Sequence, residues 1–141
     1  MEVSRILADL QEQTPYDVEF PEAPYPSNIT LDEKFNCAYR NLRRSIKLKS
    51  RTLSLINAYY LGKLLSNVES SQLKQRLSKH YATIAEYTFD LFEFYPEQIL
   101  KTKWISVQDI RKLKRSTLLD LRNELVIFVG TQNLGEKIED V

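Results

Sequence analysis

Between residues 35 and 64, apolar side chains recur every three or four positions: Phe35, Tyr39, Leu42, Ile46, Leu53, Ile56, Tyr60 and Leu64, with one gap at Lys49. At about 100° per residue they fall within roughly 60° of Phe35 on a helical wheel, which predicts one long amphipathic helix. "TLDE" at 30–33 has the form of a capping box for its start, with Thr30 as the cap and Glu33 reaching back to the Thr30 amide. Leu48, Leu55 and Tyr59 make a second apolar stripe on the far side of this helix. A helix that is apolar on two sides belongs at the centre of a bundle or at an interface. Gly62 either costs about 1 kcal/mol in the helix interior or permits a close helix approach. "SNVESS" at 66–71 reads as a break.

Four further helices are predicted around this one. Val3, Ile6, Leu7 and Leu10 share one face of a short helix within residues 2–13. Leu73, Leu77, Tyr81, Ile84, Thr88 and Leu91 predict a helix from about Ser71 to Tyr95. Pro96 suits the first turn of a short helix, "PEQILKT". Ser106 is placed to cap a last helix, with Asp109 at the favourable end of its dipole. Ile110, Leu113, Thr117, Leu121, Leu125 and Phe128 carry that helix to Gly130, a natural stop.

Residues 14–27 hold four of the five prolines. They predict an extended arm, with Tyr16, Phe20 and Tyr25 as apolar handles. The expected fold class is therefore all-α: a single-domain bundle of four to five helices, preceded by an extended Pro/aromatic N-terminal arm. The arm and short helix occupy residues 1–29, the bundle 30–130, and a flexible acidic tail 131–141. With only three glycines, the chain lacks the turn residues of tight β architectures.

The net charge of +1 conceals a segregation. Residues 1–39 carry two basic and eight acidic side chains, residues 40–115 sixteen basic and six acidic, and residues 116–141 two basic and five acidic. A basic centre lies between acidic ends, and such a centre attracts polyanions. One cluster comprises Arg40, Arg43, Arg44, Lys47, Lys49 and Arg51, and most of it lies off the apolar stripe of the long helix. A second comprises Lys101, Lys103, Arg111, Lys112, Lys114 and Arg115. Should their helices pack side by side, the clusters merge into one phosphate-neutralising surface.

Other chemistry finds little footing. His80 is the only histidine and Cys37 the only cysteine, so no His or Cys metal cluster is available and no intrachain disulfide can form. His80 borders an apolar face and reads as a partly buried, hydrogen-bonded imidazole. Glu86, Asp90, Glu93 and Glu97 follow one helical flank and read as a solvated acidic face. The aromatic run from Tyr87 to Tyr95, with Trp104, reads as core. No glycine-rich phosphate loop is present, and "SVQDIRKLKRSTLLDLRNEL" lacks a glycine-type turn between two short helices. No enzymatic activity, metal or cofactor is expected.

The chain reads as a helical interaction module within a larger assembly, its basic surface meeting an acidic partner. The alternative is a direct DNA- or RNA-binding protein that contacts phosphates through residues 40–51 and 101–115. Leu48, Leu55 and Tyr59, with Tyr16, Phe20 and Tyr25 of the arm, are the candidate protein interface, including one between two copies. The lone cysteine and the lack of a signal-like or membrane-spanning apolar run fit an intracellular location away from membranes.

Overall fold

A backbone stretch that lies between helices must find hydrogen-bond partners elsewhere, and residues 102–105 find them at two distant places in the chain. Helix α1 (Val3–Leu10) delivers Asp9, 5% exposed, whose carboxylate accepts from the amides of Lys103 (2.7 Å), Trp104 (3.0 Å) and Ile105 (2.8 Å). Helix α3 (Arg51–Leu65) delivers Arg51, which donates to the carbonyls of Thr102 (2.6 Å) and Ile105 (2.9 Å) and to Thr102 Oγ1 (2.9 Å). Buried Gln98 adds a bond to the Leu10 carbonyl at 3.1 Å. The chain's two halves are thereby tied into one body.

The computed structural model describes residues 2–12, 19–67 and 72–139, with side chains as far as residue 132. The protein is all-α, a bundle without strands among these residues. Helix α2 (Leu31–Lys47) lies against α3, and α3 lies against α4 (Lys79–Phe92). Helices α5 (Val107–Arg111) and α6 (Arg115–Glu139) pack on α4, α5 also touching α3, and α1 contacts both α6 and the 3-10 helix Pro96–Lys101. Helix α3 is central, and every residue from Ser54 to Gly62 is buried. None of the described helices is long and apolar enough to cross a membrane.

The long helix expected over 35–64 is in fact two helices. Leu48 caps α2, Lys49 takes φ 58°, and two bonds close the turn: Ser50 N–H to Ser45 O and Lys49 N–H to Ile46 O, each 3.0 Å. This is a Schellman motif with lysine where glycine is usual. The gap at Lys49 in the apolar pattern was therefore the turn itself. At the other end of α2, Thr30 Oγ1 accepts from the Glu33 amide at 3.2 Å, while the reciprocal Glu33 bond is not formed.

The second stripe turns inward. Leu55 is fully buried and Tyr59 is 5% exposed, so neither belongs to a free interface; Leu48, on the turn, is 70% exposed. The arm docks on its own bundle. The Phe20 ring meets Tyr59 (5.4 Å between centroids) and Tyr60 (5.6 Å), and Tyr25 meets Tyr60 (6.3 Å). The Tyr60 hydroxyl donates to the Pro21 carbonyl at 2.5 Å, and Asn41 Nδ2 to that of Pro24 at 3.2 Å. Phe20 and Tyr25 are thus internal contacts, and Tyr16 lies outside the described residues.

Helix α4 starts at Lys79 rather than Ser71. Ser78 Oγ accepts from the Tyr81 amide at 3.3 Å, and Leu73–Arg76 forms a 3-10 turn before it. Leu73 and Leu77 are buried as their spacing suggested, although neither lies in the α-helix. Ser106 and Asp109 form a full capping box, Ser106 Oγ accepting at 3.2 Å and Asp109 Oδ2 at 2.9 Å. The helix they start ends at Arg111, and α6 begins again at Arg115 without any glycine between. Helix α6 runs through Gly130 to Glu139, so the expected stop at Gly130 is not observed. A glycine ends a helix by taking a left-handed conformation, and no described glycine has positive φ.

Where α3 crosses α4, Gly62 faces the Ala85 backbone. A Cβ added there would overlap the Ala85 carbonyl oxygen and sit 2.5 Å from Phe89 Cβ. Gly62→Ala is therefore expected to destabilise by about 3 kcal/mol or more, the cost of overpacking against immobile backbone outweighing the gain in helix propensity. Urea denaturation measures it. Burial raises the pKa of Tyr25, Tyr59 and Tyr60 above the usual value near 10; like charge among these tyrosines adds to the rise for Tyr25 and Tyr59, and Glu22 adds to it for Tyr60. The protonated phenols are thus favoured in the fold. The stability they contribute is complete below about pH 10 and is lost as pH rises through the folded values. Urea midpoints followed above pH 10 should fall, and less steeply for Tyr60→Phe than for the unaltered chain.

Candidate binding face on helix α2

Helix α2 buries Phe35, Ala38, Leu42 and Ser45 against the bundle and turns Arg40, Arg43, Arg44 and Lys47 to solvent, as its periodicity requires. Lys49, on the turn that follows, is exposed as well. Among the described residues no carboxylate lies within ion-pair distance of any of these five cations. Arg43 lies over the Tyr39 ring at 4.4 Å, and Arg40 Nη2 reaches Cys37 Sγ at 3.7 Å. Two of its guanidinium groups, those of Arg40 and Arg43, thus rest on their own helix.

Five other cations are ion-paired. Lys74 pairs with Glu86 (2.6 Å), Arg76 with Asp32 (3.1 Å), Lys103 with Glu12 (2.8 Å), Arg122 with Glu93 (3.7 Å), and Arg115 with Asp90. Arg76 also bonds Asn36 and lies over Phe35, and Arg115 lies over Tyr87. Glu12 raises the pKa of the fully exposed Lys103, chiefly through their hydrogen bond. The acidic flank is thus largely a set of single ion pairs, and no three metal-ligating side chains converge among the described residues.

Arg51 leaves the predicted binding set. Its guanidinium is committed to Thr102 and Ile105, and burial lowers its pKa, opposed by Asp9. The two basic clusters lie on different helices: α2 packs chiefly on α3 and α5 and α6 chiefly on α4, and they approach where the α2–α3 turn meets the start of α5. In the second cluster Lys101 is half-buried, Arg111 bonds Gln108 Oε1 at 3.0 Å, and only Lys112 and Lys114 stand exposed without an ion pair. His80 is exposed rather than partly buried; slight burial and then Arg111 lower its pKa, and its Nε2 faces Gln108 Nε2 at 3.4 Å. Two members of the aromatic run escape the core: Phe94, 58% exposed, and Trp104, 71% exposed.

A cavity of about 410 Å³ beside Trp104, lined by Arg5, Ala8, Asp9 and Glu12, holds two carboxylates. Asp9 is occupied by three amides and Glu12 by Lys103, so neither is free for acid–base work. No protein-family model matches the chain, and no curated protein and no solved structure matches it either.

The turn that ends the basic row gives a direct test of its geometry. Lys49 holds a left-handed backbone that costs a side-chain-bearing residue roughly 1 kcal/mol relative to glycine. Lys49→Gly is expected to stabilise the protein by about 0.5–1 kcal/mol, read as a higher urea midpoint with an unchanged slope.

Proposed function

We propose that this chain is a non-enzymatic helical interaction module, a subunit of a larger assembly, and that the exposed face of α2 is where it meets an acidic partner. The observation that carries this reading is a cluster of unpaired cations. Among the described residues, Arg40, Arg43, Arg44, Lys47 and Lys49 are all exposed within residues 40–49 without a carboxylate partner, whereas the other exposed unpaired cations, Arg5, Lys63, Lys79, Lys112 and Lys114, are scattered singly or in twos. A second reading, direct DNA or RNA contact, draws support from the arginines: three of the five are forked donors suited to phosphate.

Fluorescence anisotropy decides whether the face binds anions at all. Labelled duplex DNA, single-stranded DNA, RNA and an acidic peptide are titrated with the protein at low and high salt. Micromolar binding that weakens with salt is expected for at least one probe. The combined variant Arg43→Glu, Arg44→Glu, Lys47→Glu should weaken it about tenfold or more. All three positions are exposed, so the circular dichroism spectrum should not change. Absence of binding to every probe at low salt would end the reading.

A further inference from the structure

The row of unpaired cations ends at a hollow. The turn after α2 brings Lys49 and Ser50 beside the start of α5, and there Ile46, Ser54, Val107 and Gln108 help enclose about 190 Å³ with a mostly apolar lining. Sites for small molecules run from about 300 to 1,000 Å³, so this hollow has room for a single large side chain rather than a metabolite. Lys49 stands on its lip, and Arg44 and Lys47 precede it along α2. Leu48, 70% exposed, is the neighbouring residue. Lysine sits here at a backbone position that suits glycine, and so supplies a cation at the mouth of the hollow.

Resting on the reading that α2 meets an acidic partner, we propose what that partner is: a short acidic protein segment that seats one bulky apolar side chain in the hollow between the α2–α3 turn and α5, with its carboxylates on Lys49, Lys47 and Arg44. Charge complementarity and cavity size act together in this arrangement. A buried anchor in a pocket carries most of the affinity of such contacts, and the rim charges steer it. A nucleic-acid duplex fits less well. The free cations span residues 40–49, about 14 Å at 1.5 Å per residue. The other end of α2 displays exposed Asp32, already paired with Arg76, and Glu33, whose charge disfavours a longer polyanion laid along the helix. The exposed wall of the hollow is mostly apolar, which suits a side chain better than a phosphodiester.

The test uses the full chain and two labelled peptides of roughly twelve residues, built from Glu, Asp and Ser, identical except for one central Phe or Ser. The Phe peptide is expected to bind at least about tenfold more tightly. In methyl NMR spectra the signals of Ile46 and Val107 should move with the Phe peptide and stay still with the Ser peptide. Lys49→Gly, which leaves a folded and firmer protein, should weaken the Phe peptide a few-fold. Equal affinity for the two peptides, or tighter binding with Ile46 and Val107 unmoved, would overturn the anchor and leave the basic face standing. Duplex DNA binding more tightly than the Phe peptide would also overturn it, assigning the face to nucleic acid. Failure of every anionic probe at low salt would remove both the anchor and the reading beneath it.

Discussion

Two charged side chains of opposite sign grip opposite polarities of one backbone stretch, and the bundle is assembled around that grip. Asp9 takes the amides of residues 103–105, and Arg51 takes the carbonyls of Thr102 and Ile105. The stretch between the 3-10 helix and α5 has no helix of its own to satisfy these groups, and Thr102 and Ile105 are buried. Unpaired, each buried group would cost about 1–3 kcal/mol. The grip also settles three elements at once: where α1 docks, where α3 begins, and how the chain enters α5. The wall of the hollow beside Lys49 is a consequence, because Arg51 and Val107 line it together.

Around this joint α3 supplies the packing. It is buried on all sides over most of its length, with α2 and the arm's rings on one flank and α4 on another. Gly62 lets α4 approach until only a hydrogen fits between the two backbones. Asn57, 8% exposed, is held there by bonds to the Asn41 carbonyl and Ser45 Oγ, which fix the register of α2 on α3. A central helix with so little free surface shows solvent mainly at its first turn, where Arg51 and Ser54 line the hollow, and it is α2 whose outer face carries the unpaired row.

What local pattern controls was legible, and what distant partners control was not. The all-helical class, the buried face of α2 and its outward cations follow from spacing within one helix. The Ser106 cap is equally local. The turn at Lys49 was hidden because its left-handed residue is a lysine, so the glycine signal was missing. The start of α4 was hidden because Leu73 and Leu77 keep helical spacing while lying in a 3-10 turn and an extended residue. Arg51 looked like its neighbours in the basic run, and nothing near it in sequence reveals acceptors 51 and 54 positions later. Leu55 and Tyr59 were read correctly as a second stripe but assigned to an external partner, when α3's own neighbours cover them.

Pairing elsewhere does not explain why α2 is left bare. Exposed ion pairs contribute about 0–1 kcal/mol, so the pairs on α4 and α6 are not needed to hold the bundle. On α2, by contrast, Arg40 and Arg44, and Arg43 and Lys47, are like charges four positions apart, each pair opposing the helix by a few tenths of a kcal/mol. The arm next to α2 contains exposed Glu19 and Glu22, and neither makes an ion pair with this row. The free protein therefore keeps a small self-repulsion on its most regular surface helix. An anion seated there removes the repulsion and adds its own attraction, so binding and helix stability reinforce one another. On a face of alternating charges that repulsion would already be cancelled.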